Sequence, residues 1–217
     1  MKRLLVGVFV LLVTVAACAI VWWRTPSQRH EAREFGIVPY VSDCDADGDG
    51  IDDQTDILAS ARAYVVSAPA YGSSYYDGGR PDDGRGVCTD VVDQALLGAG
   101  YDLRTLVDKD IRERPGAYGM RDANEADANI DFRRVRNLRV WFSRHARSLT
   151  TDPAELGEWQ GGDIVSWEDH IGIVSDFRNA QGVALVIHHY SPWQASFEED
   201  ALPARTWGPI VGHWRMT

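Results

Sequence analysis

Residues 84–100 read "GRGVCTDVVDQALLGAG". Thr89 and Asp90 at the front and Gly98 and Gly100 at the back mark the ends of a helix. Cys88, Val92, Ala95 and Ala99 fall on one stripe of it. That stripe turns Cys88 inward, at the positive end of the helix. The position lowers a thiol pKa and sets backbone N–H groups where an oxyanion could sit. Cys88 is therefore either a nucleophile or inert packing, and the sequence around it has to decide.

Upstream, "TDILASARAYVVSA" (55–68) repeats Ile57, Leu58, Ala61, Tyr64 and Val65 at helical spacing. The glycine-, tyrosine- and aspartate-rich stretch 69–86 that follows reads as a loop. Downstream, residues 102–128 are polar and mixed, which predicts short helical turns and loops. "LRVWFSRHA" (138–146) predicts a core helix with its arginines on a solvated face. "WQGGDIVSWEDHIGIVSD" (159–176) and "VALVIHHYSP" (183–192), with "FRNAQG" between them as a turn, predict an antiparallel hairpin. "TWGPIVGHWRM" (206–216) reads as a closing strand. Helices followed by consecutive short strands give an α+β domain.

His170 opens one predicted strand and His188 closes the next. With the turn centred near Asn179, the two stand opposite each other on one face, because their separation is even and strand side chains alternate with period two. Asp169 and His189 then point to the other face. A cysteine with a histidine base and a second, orienting polar group is the arrangement that thiol catalysis needs. Two structural readings compete. Cys88 and Cys44 could form a disulfide in an oxidising compartment, and one cysteine with two histidines could hold zinc, although no closely spaced ligand pair supports the latter.

Residues 45–56, "DADGDGIDDQTD", place Asp45, Asp47, Asp49, Asp53 and Asp56 at positions 1, 3, 5, 9 and 12 of an EF-hand-like loop. Gly50 stands at the sharp turn and Ile51 at the position that offers a backbone carbonyl. The spacing predicts a structural Ca²⁺ site that clamps residues 25–55, read as a linker, onto a domain spanning 56–217. The bland alternative is a solvated acidic linker.

The chain has 217 residues, 45% hydrophobic, with a formal charge of −10. One compact domain fits that length, and the acidic balance argues against nucleic-acid binding. Residues 1–24 stand apart: Lys2 and Arg3 precede an uncharged apolar run from Leu4 to Trp23, and about 20 such residues span a bilayer as a helix. They predict an extracytoplasmic, membrane-anchored protein of the cell envelope or periplasm. The anchor could be a transmembrane helix or a lipid on Cys18 in the lipobox-like "VAAC"; a cleaved signal would leave none.

The blocks "ILASARAYV", "YYDGGRPDDGRGVCTDVV", "GGDIVSW", "HIGIVSD" and "LVIHH" together resemble the ordered motifs of the NlpC-type, papain-like cell-wall cysteine peptidases and amidases. "RGVCTDVV", "NIDFRRVRNL" and "HIGIVSD" are more closely similar to an uncharacterised bacterial domain family held to be a distant branch of that superfamily. The resemblance covers about residues 56–217. It implies a papain-like fold with Cys88 as nucleophile, His170 as general base and His188 as third member of the triad. The implied activity is cleavage of an amide bond in peptidoglycan peptides. An acyltransferase or an amidase on another small molecule would keep the same chemistry, and a calcium-dependent surface module would have none. The chain departs from the family patterns in three places: "CTDVV" replaces the residues usual around the cysteine, Gly161 replaces a proline, and Phe132 replaces a histidine.

Overall fold

Asp52 starts the first helix, because its side chain accepts the N–H of Thr55 and satisfies a donor that the helix leaves free. The computed structural model describes residues 29–203 and 206–217, so the predicted anchor over residues 1–24 lies outside the described residues. In chain order come β1 (His30–Glu31), α1 (Asp53–Val66), β2 (Ala70–Tyr71), β3 (Arg85–Gly86), α2 (Cys88–Gly98), α3 (Leu103–Glu113) and α4 (Val135–His145). They are followed by β4 (Arg147–Ser148), β5 (Ile164–Ser166), β6 (Ile171–Arg178), β7 (Ala184–Ile187), β8 (Glu198–Glu199) and β9 (Gly212–Arg215). The chain is mixed α+β: its large sheet runs β4-β9-β5-β6-β7-β8 with every pair antiparallel, and β1 pairs with the far end of β6. Among the described residues no helix is long and apolar enough to cross a membrane.

Strand alternation sorts the core into two layers. Ile164, Ile171, Ile173 and Ile187 face the helices and pack with Ile57, Val91, Val92, Leu96 and Leu138. Their neighbours Val165, Val174 and Val186 face the other way and pack with Trp159, Trp167 and Leu202. Burying each such side chain stabilises the fold by about 1.5–3 kcal/mol. The sheet is therefore apolar on both faces around these residues.

Three sequence expectations need correction. Residues 103–113 form a full helix rather than turns, because Leu103, Val107 and Ile111 recur every four residues and bury one narrow stripe. The hairpin arm read over 159–176 holds two antiparallel strands, β5 and β6, the second beginning just after His170, with a tight reversal in which Trp167 N–H donates to the His170 carbonyl. The described part of the predicted linker is built into the fold. Ala32 and Ile37 are buried, Tyr40 N–H donates to Gln160 Oε1 at 3.0 Å, and the Arg215 guanidinium lies 4.3 Å from the Tyr40 ring centroid.

Candidate active site

Cys88 is the first residue of α2, and the start of that helix is held by buried ion pairs. Asp90 accepts the N–H of Val87 at 2.9 Å and two bonds from Arg133, at 2.7 and 3.0 Å. Arg133 also donates to the Ser74 carbonyl, which ties down the loop before the cysteine. One turn on, Asp93 is gripped by Arg80 at 2.7 and 2.9 Å. Gly86 lies against the Tyr64 hydroxyl, where an added Cβ would come within 2.1 Å of the oxygen, so no larger residue fits. Cys88 and Cys44 are both free thiols, which removes the disulfide reading.

The Cys88 thiol packs against the helix-side core, beside the backbone amide of Ile171, whereas the ring of His170, the residue before it, packs with the opposite layer against Trp167 and Trp207. Amides of Ile171, Thr89 and Cys88 itself favour the thiolate, as the helix start predicts. Burial outweighs them and pushes the thiol up to about 11. The expectation of a lowered thiol pKa is thus reversed, and desolvation is the reason.

His170 and His188 meet as predicted on one face, but not by the predicted register. Ile173 pairs with Ile187 and Val174 with Val186, which sets His188 across from Gly172 rather than from His170. The two histidines are diagonal neighbours. The missing side chain at Gly172 opens the path between them: an added Cβ there would lie 2.7 Å from Val186 Cγ1 and 3.1 Å from His188 Cβ. His170 Nε2 and His188 Nδ1 are 2.7 Å apart. Trp207 stacks on His170 at 4.5 Å between ring centroids, and Tyr190 stacks on His188 at 5.2 Å. Burial, with His188 beside it, lowers His170 to about 3. His189 points to the other face, between Tyr71 and Phe197, and Asp169 is exposed. Among the described residues Cys88, His170 and His188 are not gathered around one coordination point, so zinc has no geometric support.

The acidic loop brings only part of its predicted set together. Oxygens of Asp45, Asp47 and Asp49 lie within 4.8 Å of one another on the surface. Asp56 stands near them: burial and then the charges of Asp49, Asp47, Asp52 and Asp45 raise its pKa. Asp53 does not join. It is buried, with its carboxylate accepting the Ala46 N–H at 2.8 Å and the Tyr101 hydroxyl. Ile51 is exposed. Convergent carboxylates at EF-hand spacing suit a hard cation, so Asp45, Asp47, Asp49 and Asp56 are the side chains that could hold one.

Two features escape sequence reading. Glu199 lies 3.2 Å from His188 Nε2. Asp163, fully buried, takes Arg215 in two bonds of 2.7 Å, Gln54 Nε2 at 2.7 Å and His213 Nε2 at 3.0 Å, which locks α1, β5 and β9 together. The signal for Asp163 was its place in the "GGDIV" block; Glu199 gave none.

Residues 58–216 match the family model of a domain of unknown function, DUF1287. The chain is 41% identical over 169 residues to the uncharacterized protein YijF of Escherichia coli (strain K12), across 73% of this chain and 80% of that protein. No solved structure matches. The family match takes in Cys88, His170, His188 and Glu199 and leaves the acidic loop outside it. On this span and this identity, the chain belongs to the DUF1287 family.

Proposed function

We propose that the protein is a thiol hydrolase of the cell envelope that cleaves an amide bond in peptidoglycan peptides, on a papain-like, NlpC-type scaffold. The observation that carries this reading is the 2.7 Å bond between His170 and His188 at the strand end whose next amide, that of Ile171, touches the Cys88 thiol. In the first step the Cys88 S–H bond breaks, its proton passes to Nδ1 of His170, and the sulfur attacks the substrate carbonyl. The backbone amides at the start of α2 receive the developing oxyanion. His170 then gives its proton to the leaving amine, and a thioester on Cys88 remains. Water, deprotonated by His170, attacks the thioester and releases the acid and the free thiol. His188 orients His170 throughout.

The burial of both reacting groups favours their neutral forms, so proton transfer accompanies attack rather than preceding it. Envelope placement follows from the apolar segment within residues 1–24. A Ca²⁺ ion on the acidic loop would be structural: Asp45, Asp47 and Asp49 already converge, and a bound cation would offset their repulsion with Asp56.

The test is mass spectrometry of isolated peptidoglycan incubated with the wild-type chain and with Cys88→Ala. New peptides carrying one added water at a cut amide, absent with Cys88→Ala, are the expected products. Transfer of the acyl group to an added amine in place of water would make the protein an acyltransferase. No product from wild type, with sacculi that a control peptidase does cut, would sink the peptidoglycan reading.

A further inference from the structure

β8 carries two consecutive glutamates with separate destinations. Glu198 stands across from Ile187 and Glu199 across from Val186, so their side chains leave the sheet on opposite faces. Glu198, on the helix side, accepts from Ser175 Oγ at 2.6 Å and from Arg62 at 2.7 Å. Glu199 shares a face with Val186 and therefore with His188, one diagonal step away. Its Oε1 lies 3.2 Å from His188 Nε2, and the Tyr190 hydroxyl bonds to the same carboxylate.

This chain of contacts dictates where the hydrogens sit. An ionised carboxylate accepts and does not donate, so His188 Nε2 bears its hydrogen. A neutral His188 then offers only a lone pair at Nδ1. The 2.7 Å contact therefore requires His170 to donate from Nε2, which leaves a bare lone pair on His170 Nδ1. The stacked rings of Trp207 and Tyr190 fix the planes of the two imidazoles but not their tautomers.

We propose that Glu199 is a positioning residue for the thiol chemistry: it fixes both histidine tautomers so that His170 presents an unprotonated Nδ1, and its charge supports the imidazolium formed there. The inference rests on the Cys88–His170 reading. When the thiol proton binds Nδ1 of His170, the electron pair stays on sulfur and the ring becomes positive. Sharing of the Nε2 hydrogen with His188 moves that charge toward Glu199. The titratable groups facing the pair are Tyr190 and Glu199, with His189 next along the chain on the other face; among the described residues no cation joins this hydrogen-bond chain.

The experiment is the alkylation rate of Cys88 by iodoacetamide against pH in the full chain, with peptide mass spectrometry to separate Cys88 from Cys18 and Cys44. Glu199→Gln is expected to be about tenfold slower than wild type at pH 7, the effect of one pKa unit in His170, and to converge with it at high pH. Glu198→Gln breaks the Arg62 pair, lowers the melting temperature and leaves the curve in place. A Glu199→Gln curve that overlays wild type, while His170→Ala is slow, overturns the role of Glu199 and leaves the hydrolase reading standing. If His170→Ala overlays as well, the Cys88–His170 couple falls and this inference with it. Nitrogen-15 shifts of the imidazoles give a second readout that needs no reactivity: Nε2–H on both histidines in wild type, mixed tautomers in Glu199→Gln. An Nδ1–H on His188 in wild type contradicts the assignment.

Discussion

Desolvation dominates the electrostatics of single residues in this site. It pushes Cys88 up and His170 down, so each is neutral across the physiological range. For His170 this links stability to pH. The unfolded chain binds a proton near pH 6.5 and the folded chain only near 3, so the unfolded state is the more protonated between those values. Stability should fall as pH drops from about 6.5 toward 4, and His170→Gln should flatten the melting temperature over that window. An unchanged slope in the variant would place the pH dependence elsewhere. The meeting of His170 and His188 was legible in the sequence because each sits at an element end with a recognisable local pattern. Glu199 was not, since "EE" reads as two solvated charges until the β7–β8 register sends one to each face. Asp53 failed for a related reason: loop spacing counts carboxylates but does not show which one the fold buries.

At the level of elements, the register of β6 against β7 decides whether two histidines can meet. The sequence supplied the right face and the wrong partner, because parity survives a shift of two residues while the identity of the opposite residue does not. Gly172 makes the diagonal contact possible. Gly172→Ala would force a Cβ against Val186 and His188, and overpacking of that kind costs about 1–3 kcal/mol. The expected outcome is a lower denaturation midpoint together with slower Cys88 alkylation at neutral pH; a variant with wild-type values for both would show that the sheet absorbs the methyl. α3 was missed because its buried apolar stripe, Leu103, Val107 and Ile111, is narrow and most of its other residues are polar. Its place in the core comes from tertiary packing, which also buries Asp110 between Tyr118 and Arg144.

On the scale of the whole molecule, the two layers of core flank the sheet whose ends carry His170 and His188, and the acidic loop lies outside the family match. Burial, and after it the charges of Asp49, Asp47, Asp52 and Asp45, raise the Asp56 pKa, so ionising Asp56 destabilises the metal-free fold as pH rises above the ordinary carboxylate range. Ca²⁺ should therefore raise the melting temperature at pH 7. Asp56→Asn should be more stable than wild type in chelator and gain less from the ion. A melting temperature indifferent to Ca²⁺ would return the loop to a solvated surface feature. The proposed thiol chemistry requires that His170 act as base toward the Cys88 thiol. The most direct measurement is the ratio of Cys88 alkylation rates in wild type and His170→Ala from pH 6 to 11. Wild type should react tenfold or more faster near pH 7, with the gap closing as the pH approaches the thiol's own value of about 11. Superimposed profiles would mean that Cys88 ionises without His170, and the thiol hydrolase reading would be wrong.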